Sequence, residues 1–250
     1  MMILALILAL AIGLSLGLLG SGGSIITLPV LVYVAKVYPP QAVAMSLAVV
    51  GGTTLFGSIL GARSGHVHGK AALLFSITGV FGALAGSQLT PLVSPPVLLL
   101  IFAGLMIVVA LRMFRPRPDQ SPDEHADCHW LGCSATGLFV GVLTGFLGVG
   151  GGFLIVPALL FLARIPLRRA IATSLVVITV TSAAGLLGHL RRTHIDWSVA
   201  AMFLVLAIAG MLAGRKIAHH VEAERLRSWF AWFVLAVAVF VIAENWEAFG

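Results

Sequence analysis

Charged residues occupy only short clusters of this chain, and long charge-free runs separate the clusters. The five longest runs cover residues 1–35, 37–62, 71–111, 128–163 and 170–190. Each run can hold at least one apolar helix across a hydrocarbon core of roughly 30 Å. Only 10% of the residues are charged, against about 25% in a soluble domain. The pattern predicts an all-α polytopic membrane protein and excludes an ordinary soluble domain.

The formal net charge of +6 does not indicate nucleic-acid binding, because the basic residues lie in short loops between apolar runs. There they set the orientation of the spans in the membrane. We expect the lipid bilayer as the surroundings, with no nucleic-acid partner and no cofactor. Residues 1–20 lack the basic start of a signal peptide, so we expect them to belong to the mature fold.

The chain repeats itself at an offset of 128 residues. Within Gly17–Leu47, 12 of 31 positions are identical to the residue 128 positions later. The matched residues include the glycines of the Gly-rich sequences 20–23 and 148–151. The register persists through Gly82, which matches Gly210, as far as Leu98, which matches Leu226. A chance match of one Gly-rich motif would not hold register over such a length, so we expect two structural repeats.

Each predicted repeat contains four apolar segments. In the first repeat, 1–113, the segments are 2–35, 40–62, 70–90 and 95–113. In the second repeat, 129–250, they are 129–163, 168–190, 197–217 and 225–243. Residues 114–128 hold prolines and mixed charge, which predicts a hydrophilic linker. The first segment of each repeat is too long for one ordinary span, and its middle contains the Gly-rich sequence.

The distribution of basic residues decides how these long first segments cross the membrane. If each crosses once, seven basic residues collect on one side and eight on the other. If each enters and returns to the same side, one side collects twelve and the other only Lys36, Arg191 and Arg192. The positive-inside rule favours the second arrangement. It predicts a broken or re-entrant first segment, both termini outside the cytoplasm and the 114–128 linker inside.

Each repeat then makes an odd number of crossings, so the two repeats have opposite orientations. Inverted repeats recur in secondary transporters, where the solute site lies near the membrane midplane beside broken helices. The cell inner membrane is the expected location. A homodimer is compatible with the sequence, which gives no sign for or against one.

The two Gly-rich sequences form the candidate binding site. Clustered glycines loosen a helix and permit positive φ, and broken backbone at membrane depth persists only beside protein or a wet cavity. A helix that restarts at Ser24 or Gly152 would present free N–H groups to an anion. The candidate substrate-binding residues are Ser21, Gly22, Gly23, Ser24, Ser46, Gly150, Gly151, Gly152, Thr173 and Ser174.

Simpler roles for these residues stay open at this point. The glycines could serve tight helix packing alone. The hydroxyls of Ser46, Thr173 and Ser174 could bond to carbonyls of their own helices. No Asp or Glu lies inside a predicted span, whereas carriers of cations and protons usually keep a carboxylate there. Uncharged N–H and O–H donors therefore favour an anion as the small-molecule partner.

Histidine and cysteine raise two further questions. His189 is the only histidine within an otherwise apolar span, so it is a candidate for proton coupling. Its neighbours Arg191 and Arg192 also fit an interfacial position. A cluster of four metal-ligating residue types follows the linker, at His125, Cys128, His129 and Cys133. Its spacing matches no standard zinc site, so no metal is predicted, and the sequence leaves this cluster open.

Taken together, these features resemble the sulfite exporter TauE/SafE family over nearly the whole chain. The resemblance is carried by the paired Gly-rich breaks, by Pro29 and Pro157 after them, by Ala172-Thr173-Ser174-Leu175 and by Ile195-Asp196-Trp197. It implies a permease, not an enzyme, for sulfur-containing anions such as sulfite, sulfonates or sulfoacetate-like organic acids. The second repeat has Val149 and Gly152 where the first has Ser21 and Ser24, so the site need not be symmetric.

Two other functions remain as alternatives. An anion channel would also fit the duplicated architecture. An intramembrane hydrolase would use Ser21 as nucleophile and His189 as base, which requires a hydrogen bond between them. The sequence contains no nucleotide-binding loop of the GxxxxGK[ST] type. A transporter of this sequence would therefore draw its energy from a gradient or a partner.

Overall fold

The structure is a computed structural model that describes residues 2–88, 95–114, 130–147, 152–163, 165–190 and 195–244. Over this part of the chain it is helical, with no strand. The helices are α1 (Met2–Leu19), α2 (Gly23–Pro29), α3 (Pro39–Arg63), α4 (Gly69–Ser87), α5 (Pro95–Phe114), α6 (Trp130–Leu147), α7 (Gly152–Phe161), α8 (Leu167–Leu190), α9 (Trp197–His220) and α10 (Ala223–Glu244). A π-helical turn, Val30–Val34, follows α2 directly.

Five of the described helices are long and apolar enough to cross a membrane. The candidate spans are Gln41–Arg63, Gly69–Gly86, Leu167–Leu187, Trp197–His220 and Glu224–Ala243. Large apolar side chains such as Leu73, Phe81 and Leu187 are exposed along them, as expected where the surrounding solvent is lipid. The prediction of an all-α, multi-pass membrane protein is therefore confirmed.

The predicted segment 2–35 is divided into several pieces. Helix α1 ends at Leu19, and α2 begins at Gly23. Between them Gly20 has a φ of +76°, which glycine adopts at little cost because it lacks a Cβ. Proline at position 29 has no N–H to donate, and the π-helical turn begins at the next residue.

Glycines build the two tightest helix contacts, between α1 and α9 and between α4 and α6. Gly210 of α9 lies against the backbone of Leu10 in α1, and Gly82 of α4 lies against the backbone of Leu138 in α6. Both residues of the second pair stand 128 positions from residues of the first. Such backbone approach requires small residues at the crossing point. The glycines that match in sequence therefore perform matching tasks in packing.

The helices α3 and α8 occupy equivalent positions in the two halves and run antiparallel. An added Cβ at Gly61 near the end of α3 would contact Ala172 near the start of α8. At the other end, an added Cβ at Gly185 of α8 would contact Leu47 of α3. The start of one helix therefore lies beside the end of its counterpart.

The chain reverses direction between α1 and α3. Gly13 and Gly17 of α1 lie against Ala207 and Met211 of α9 in ascending order, so these helices are parallel. Helix α3 also runs parallel to α9, because Gly52 lies against Leu204 of α9 and Gly57 lies against Met211. Since α1 and α3 start at the same end, the α2 segment must lead back between them.

The buried apolar side chains form two cores. The larger core joins α5, α7, α8 and α10 and includes Met106, Leu159, Ile178 and Phe230. The smaller core joins α1, the π-helical turn, α3 and α9 and includes Ile12, Leu31, Val49 and Phe203. The second core holds the returning α2 segment against α1. This packing fixes the position of the turn between α1 and α2.

Candidate functional site

The turn between α1 and α2 is held by a residue of the other half of the chain. Ser174 of α8 donates a hydrogen bond from its hydroxyl to the Gly20 carbonyl oxygen at 3.2 Å and to the Ile171 carbonyl oxygen at 2.8 Å. An added Cβ at Gly20 would lie 2.9–3.0 Å from atoms of Ile171 and Ser174. The positive φ and the lack of space both require glycine here. Ser174 therefore positions the turn.

Ser21 is the residue of this turn with an unused hydrogen-bonding group. Its exposed fraction is 0%, and its hydroxyl has no hydrogen-bond partner among the described residues. A hydroxyl buried without a partner costs roughly 1–3 kcal/mol. A buried unsatisfied group of this kind calls for an explanation, such as a ligand.

Ser24 lies in the first turn of α2 and faces the start of α7. Its hydroxyl donates to the Ser21 carbonyl oxygen at 2.8 Å. An added Cβ at Gly152, the first residue of α7, would lie 2.5 Å from Ser24 Oγ and 3.2 Å from Ile178 Cδ1. Two predicted site residues from opposite halves therefore meet in the structure. They meet beside Ile178, near the middle of α8.

The other two glycines of the first turn are packed against side chains and backbone. An added Cβ at Gly22 would lie 3.1 Å from Phe233 Cε1 of α10 and 3.3 Å from Leu19 Cδ1. At Gly23 an added Cβ would collide with the Ile12 carbonyl oxygen and lie 2.7 Å from Leu16 Cγ. Gly23 therefore lets the start of α2 approach α1 closely, and Gly22 leaves room for the Phe233 ring. The contribution of Phe233 could not be anticipated from its sequence context.

The hydroxyl groups of the other two predicted site residues, Ser46 and Thr173, form hydrogen bonds with backbone groups. Ser46 donates to the Val43 carbonyl oxygen of its own helix at 2.8 Å. Thr173 Oγ1 accepts a hydrogen bond at 3.0 Å from the backbone N–H of His68, which caps the start of α4. The structure brings Ser174 to the first turn but gives Ser46 and Thr173 partners elsewhere.

The structure gives less information on three further candidates, which are the predicted site residues Gly150 and Gly151 and the coupling candidate His189. Gly150 and Gly151 lie outside the described residues. His189 lies in α8, 15 residues beyond Ser174, which is about 22 Å along a helix axis at 1.5 Å per residue. Because Ser174 contacts Gly20, beside Ser21, that distance does not support a Ser21–His189 catalytic pair.

A pair of hydroxyls at the centre of the bundle was not among the predicted site residues. Thr179 of α8 donates to Thr54 Oγ1 of α3 at 3.0 Å. Thr54 also bonds to the Val50 carbonyl oxygen, and Thr179 to the Leu175 carbonyl oxygen. The polar positions were visible in the sequence. Their pairing depends on the crossing of α3 and α8, which local sequence does not encode.

The structure describes only one of the four residues in the candidate metal-binding cluster. His125, Cys128 and His129 lie outside the described residues, while Cys133 is buried and disulfide-bonded. Among the residues that the structure describes, no group of three histidine, cysteine, aspartate or glutamate side chains could hold a metal ion.

Comparison with known proteins shows which family the chain belongs to. Residues 5–241 match the family described as "Sulfite exporter TauE/SafE". This chain belongs to the TauE/SafE family. The match spans α1 to α10, so it includes both Gly-rich sequences. The predicted resemblance is confirmed.

Curated relatives of this TauE/SafE protein are named as transporters. A "Probable membrane transporter protein" of Xylella fastidiosa strain 9a5c is 37% identical over 246 residues, covering 95% of this chain and 93% of the relative. YdhB of Bacillus subtilis, also a "Probable membrane transporter protein", is 23% identical over 221 residues, covering 87% and 90%. MJ0441 of Methanocaldococcus jannaschii, named likewise, is 26% identical over 246 residues, covering 90% and 91%. No solved structure matches the chain. The protein is a membrane transporter of this family.

Proposed function

We propose that this protein is a secondary transporter that carries sulfur-containing anions, such as sulfite, sulfonates or sulfoacetate-like organic acids, across the cell inner membrane. The buried hydroxyl of Ser21, which has no hydrogen-bond partner in the part of the chain that the structure describes, carries the proposal. Ser21 lies where a broken helix turns back inside an apolar bundle, a position suited to an oxyanion that accepts hydrogen bonds. The sulfur chemistry rests on the family description, and the relatives' names specify no substrate.

The proposed binding site surrounds the point where α2 and α7 begin. The Ser21 hydroxyl has no partner among the described residues, and Ser24 and Gly152 lie in contact. The first turn of a helix leaves N–H groups without intrahelical partners, and the α7 start at Gly152 offers such groups beside Ser24. Ser174 positions the Gly20 carbonyl of the turn. The other proposed site residues are Gly22, Gly23, Gly150, Gly151, Ser46 and Thr173.

We infer that residues 1–113 and 129–250 are inverted repeats joined by 114–128. The antiparallel course of α3 and α8 supports this arrangement, because equivalent helices that cross a membrane in opposite directions belong to oppositely oriented repeats. The matched glycine contacts of α1–α9 and α4–α6 also support it. The reversal of the chain between α1 and α3 supports the broken first segment.

The proposed orientation puts both termini outside the cytoplasm. Hydrogen bonds bring together the end of α3, the start of α8 and the end of α9 through Arg168 and Arg215. Arg63, Arg169 and Lys216 lie on the same ends. A concentration of basic residues at one end of a bundle supports a cytoplasmic position for that end.

Flux of labelled sulfite, sulfoacetate, taurine and a simple carboxylate into proteoliposomes tests the proposal, with and without a proton gradient. Saturable flux of a sulfur anion by the wild type, lowered by Ser21→Ala, is the expected result. Flux that does not saturate would identify an anion channel instead. Absence of flux for every solute in the panel, from monodisperse protein, would reject the proposed substrate class. Dependence on the gradient would justify substitution of His189.

A further inference from the structure

An apolar groove runs along the side of the bundle where α3, α8 and α9 meet. Its volume is about 350 Å³, and its walls include Leu47 and Leu55 of α3, Leu186 of α8 and Leu204 of α9. All three helices contain candidate membrane spans. Leu55 at the edge of the groove is 49% exposed. The groove therefore opens outward, toward the lipid that surrounds a membrane bundle.

Direct contacts between the same three helices close the floor of the groove. An added Cβ at Gly51 of α3 would lie 3.1 Å from Ser182 Cβ of α8. An added Cβ at Gly52 would lie 2.8 Å from Leu204 Cδ1 of α9. The groove is therefore a recess in the side of the bundle, and its only approach among the described residues is from the lipid side.

The lining of the groove favours an apolar occupant. Among the described residues that form it, Thr179 is the one with a hydroxyl, and the others are alanine, glycine, leucine and Trp197. The Thr179 hydroxyl already bonds to Thr54 Oγ1 at 3.0 Å and to the Leu175 carbonyl oxygen at 2.7 Å. A polar ligand would lose its hydrogen bonds to water here without replacement, which is costly. A hydrocarbon chain loses nothing of the kind.

The length of the groove fits one leaflet of a membrane. Leu47 and Leu55 are eight residues apart along α3, which is about 12 Å at 1.5 Å per residue. One leaflet supplies half of the roughly 30 Å hydrocarbon core. Beyond Leu55 the recess ends, since an added Cβ at Gly57 of α3 would lie 2.8 Å from Met211 Sδ of α9. A transmembrane helix of a partner would need a groove through both leaflets, whereas an acyl chain occupies one.

The outer end of the groove has the character of a membrane interface. Trp197, the first residue of α9, lines the groove and is 58% exposed. Tryptophan is enriched at the level of the lipid headgroups. The preceding residue, Asp196, is exposed and charged and caps α9. The groove therefore begins at headgroup level and runs inward, which is the course of a phospholipid acyl chain.

Larger side chains stand at positions related to this groove by the 128-residue offset. Gly52 of α3 corresponds to Val180 of α8, and Ala201 of α9 corresponds to Leu73 of α4. Both Gly52 and Ala201 line the groove. The repeat by itself therefore does not produce this recess, which depends on small residues present on one side of the bundle.

We propose that the groove binds the acyl chain of one membrane phospholipid, whose headgroup lies at the level of Trp197. Lipid tails are as apolar as leucine, so the chain is held by close packing and not by the hydrophobic effect. An unfilled recess would forfeit those dispersion contacts. The inference is independent of the proposed transport function, because the residues that line the groove lie outside the proposed substrate site.

Photo-cross-linking of the wild-type protein tests where the chain lies. The probe is a phosphatidylethanolamine with a diazirine in one acyl chain, present at low mole fraction in vesicles of phosphatidylethanolamine and phosphatidylglycerol. Adducts are mapped by peptide mass spectrometry. We expect adducts on Leu47, Leu55 and Leu186 to exceed those on Leu187 and Val205, which are exposed on the same bundle but do not line the groove.

A matched pair of double variants tests whether the groove retains a lipid. Ala183→Leu/Ala201→Leu adds two side chains to the lining of the groove. Ala184→Leu/Ala213→Leu adds the same atoms to α8 and α9 at exposed positions outside that lining. Native mass spectrometry of the detergent-purified proteins counts the phospholipids that stay bound. We expect one retained phospholipid in the wild type and the control, and its loss from the groove variant.

Equal lipid retention in the two double variants would overturn the proposal. Adducts spread evenly over groove residues and other exposed residues would also overturn it, and this test needs no variant to fold. A wild-type dimer that becomes monomeric only in the groove variant would assign the groove to a second copy of the chain. None of these readouts depends on flux, so the failure of the transport proposal would leave this test intact.

Discussion

Ser24 and Gly152 occupy the same position in the two halves of the chain, 128 residues apart, and they lie in contact. An added Cβ at Gly152 would lie 2.5 Å from Ser24 Oγ and 3.2 Å from Ser24 Cβ. Equivalent residues of two repeats can meet only close to the axis that relates the repeats. This contact therefore supports a proposed site at the centre of the bundle, shared by both halves.

Gly152→Ala should destabilise the protein by roughly 1–3 kcal/mol, because the added methyl group overpacks the junction of α2 and α7. The double variant Ser24→Ala/Gly152→Ala should recover most of that loss, since the 2.5 Å contact is with Ser24 Oγ. Thermal unfolding in detergent measures both. Gly132→Ala is the control, because an added Cβ there meets nothing within 4 Å. Additive effects of the two substitutions would contradict the contact.

Ser21→Ala should lower transport about tenfold while leaving the protein as stable as the wild type or more so. The stability follows because a buried hydroxyl without a partner costs about 1–3 kcal/mol. Ser76→Ala provides the matched control, since Ser76 is the other buried hydroxyl that lacks a partner among the described residues. Flux and thermal unfolding are measured on both variants. Equal flux in Ser21→Ala and Ser76→Ala would place the substrate elsewhere.

Gly22→Val should block transport while leaving the protein in the membrane. An added Cβ already lies 3.1 Å from Phe233 Cε1, so the two further carbons of valine must displace Phe233 or the turn. Adding Phe233→Ala should restore part of the flux by opening that space. Gly132→Val serves as a substitution in open surroundings. The sequence predicts the same loss for Gly151→Val, and full flux in both glycine variants would make the breaks packing features alone.

The hydrogen bond between Thr54 and Thr179 should contribute a coupling free energy of about 0.6 kcal/mol, the average for such bonds in membrane bundles. Each hydroxyl keeps a partner on its own helix, so neither single valine substitution leaves a hydroxyl without an acceptor. A double-mutant cycle of Thr54→Val and Thr179→Val, followed by unfolding, measures the coupling. A coupling free energy near zero would mean that this hydrogen bond does not stabilise the crossing of α3 and α8.

Local properties made the spans predictable from sequence. The predicted segments 40–62 and 168–190 correspond to α3, Pro39–Arg63, and α8, Leu167–Leu190. Hydropathy and charge act residue by residue, because each group must be matched to lipid or water wherever the chain folds. Asp196, just before the predicted 197–217 segment, caps α9 by accepting from the N–H groups of Ser198 and Val199. The family was predictable for the same reason, since its motifs lie within short stretches.

Partnerships between distant residues were not predictable. Ser21 and Ser24 look alike in the sequence, yet Ser24 donates to the Ser21 carbonyl, while no residue that the structure describes bonds to the Ser21 hydroxyl. Thr173, a predicted substrate-binding residue, accepts a hydrogen bond from the backbone N–H of His68, 105 residues away along the chain. Which hydroxyl remains unsatisfied depends on the atoms that packing brings around it.

The sequence by itself determined that this chain is a helical membrane protein of the TauE/SafE family, because apolar spans and glycine motifs are properties of contiguous residues. The tertiary structure alone decided that Ser24 meets Gly152, that Ser174 holds the turn at Gly20, and that Arg215 reaches the end of α3. Those contacts join residues more than a hundred positions apart. They exist only because the glycine-lined crossings let the helices approach closely enough to set one geometry.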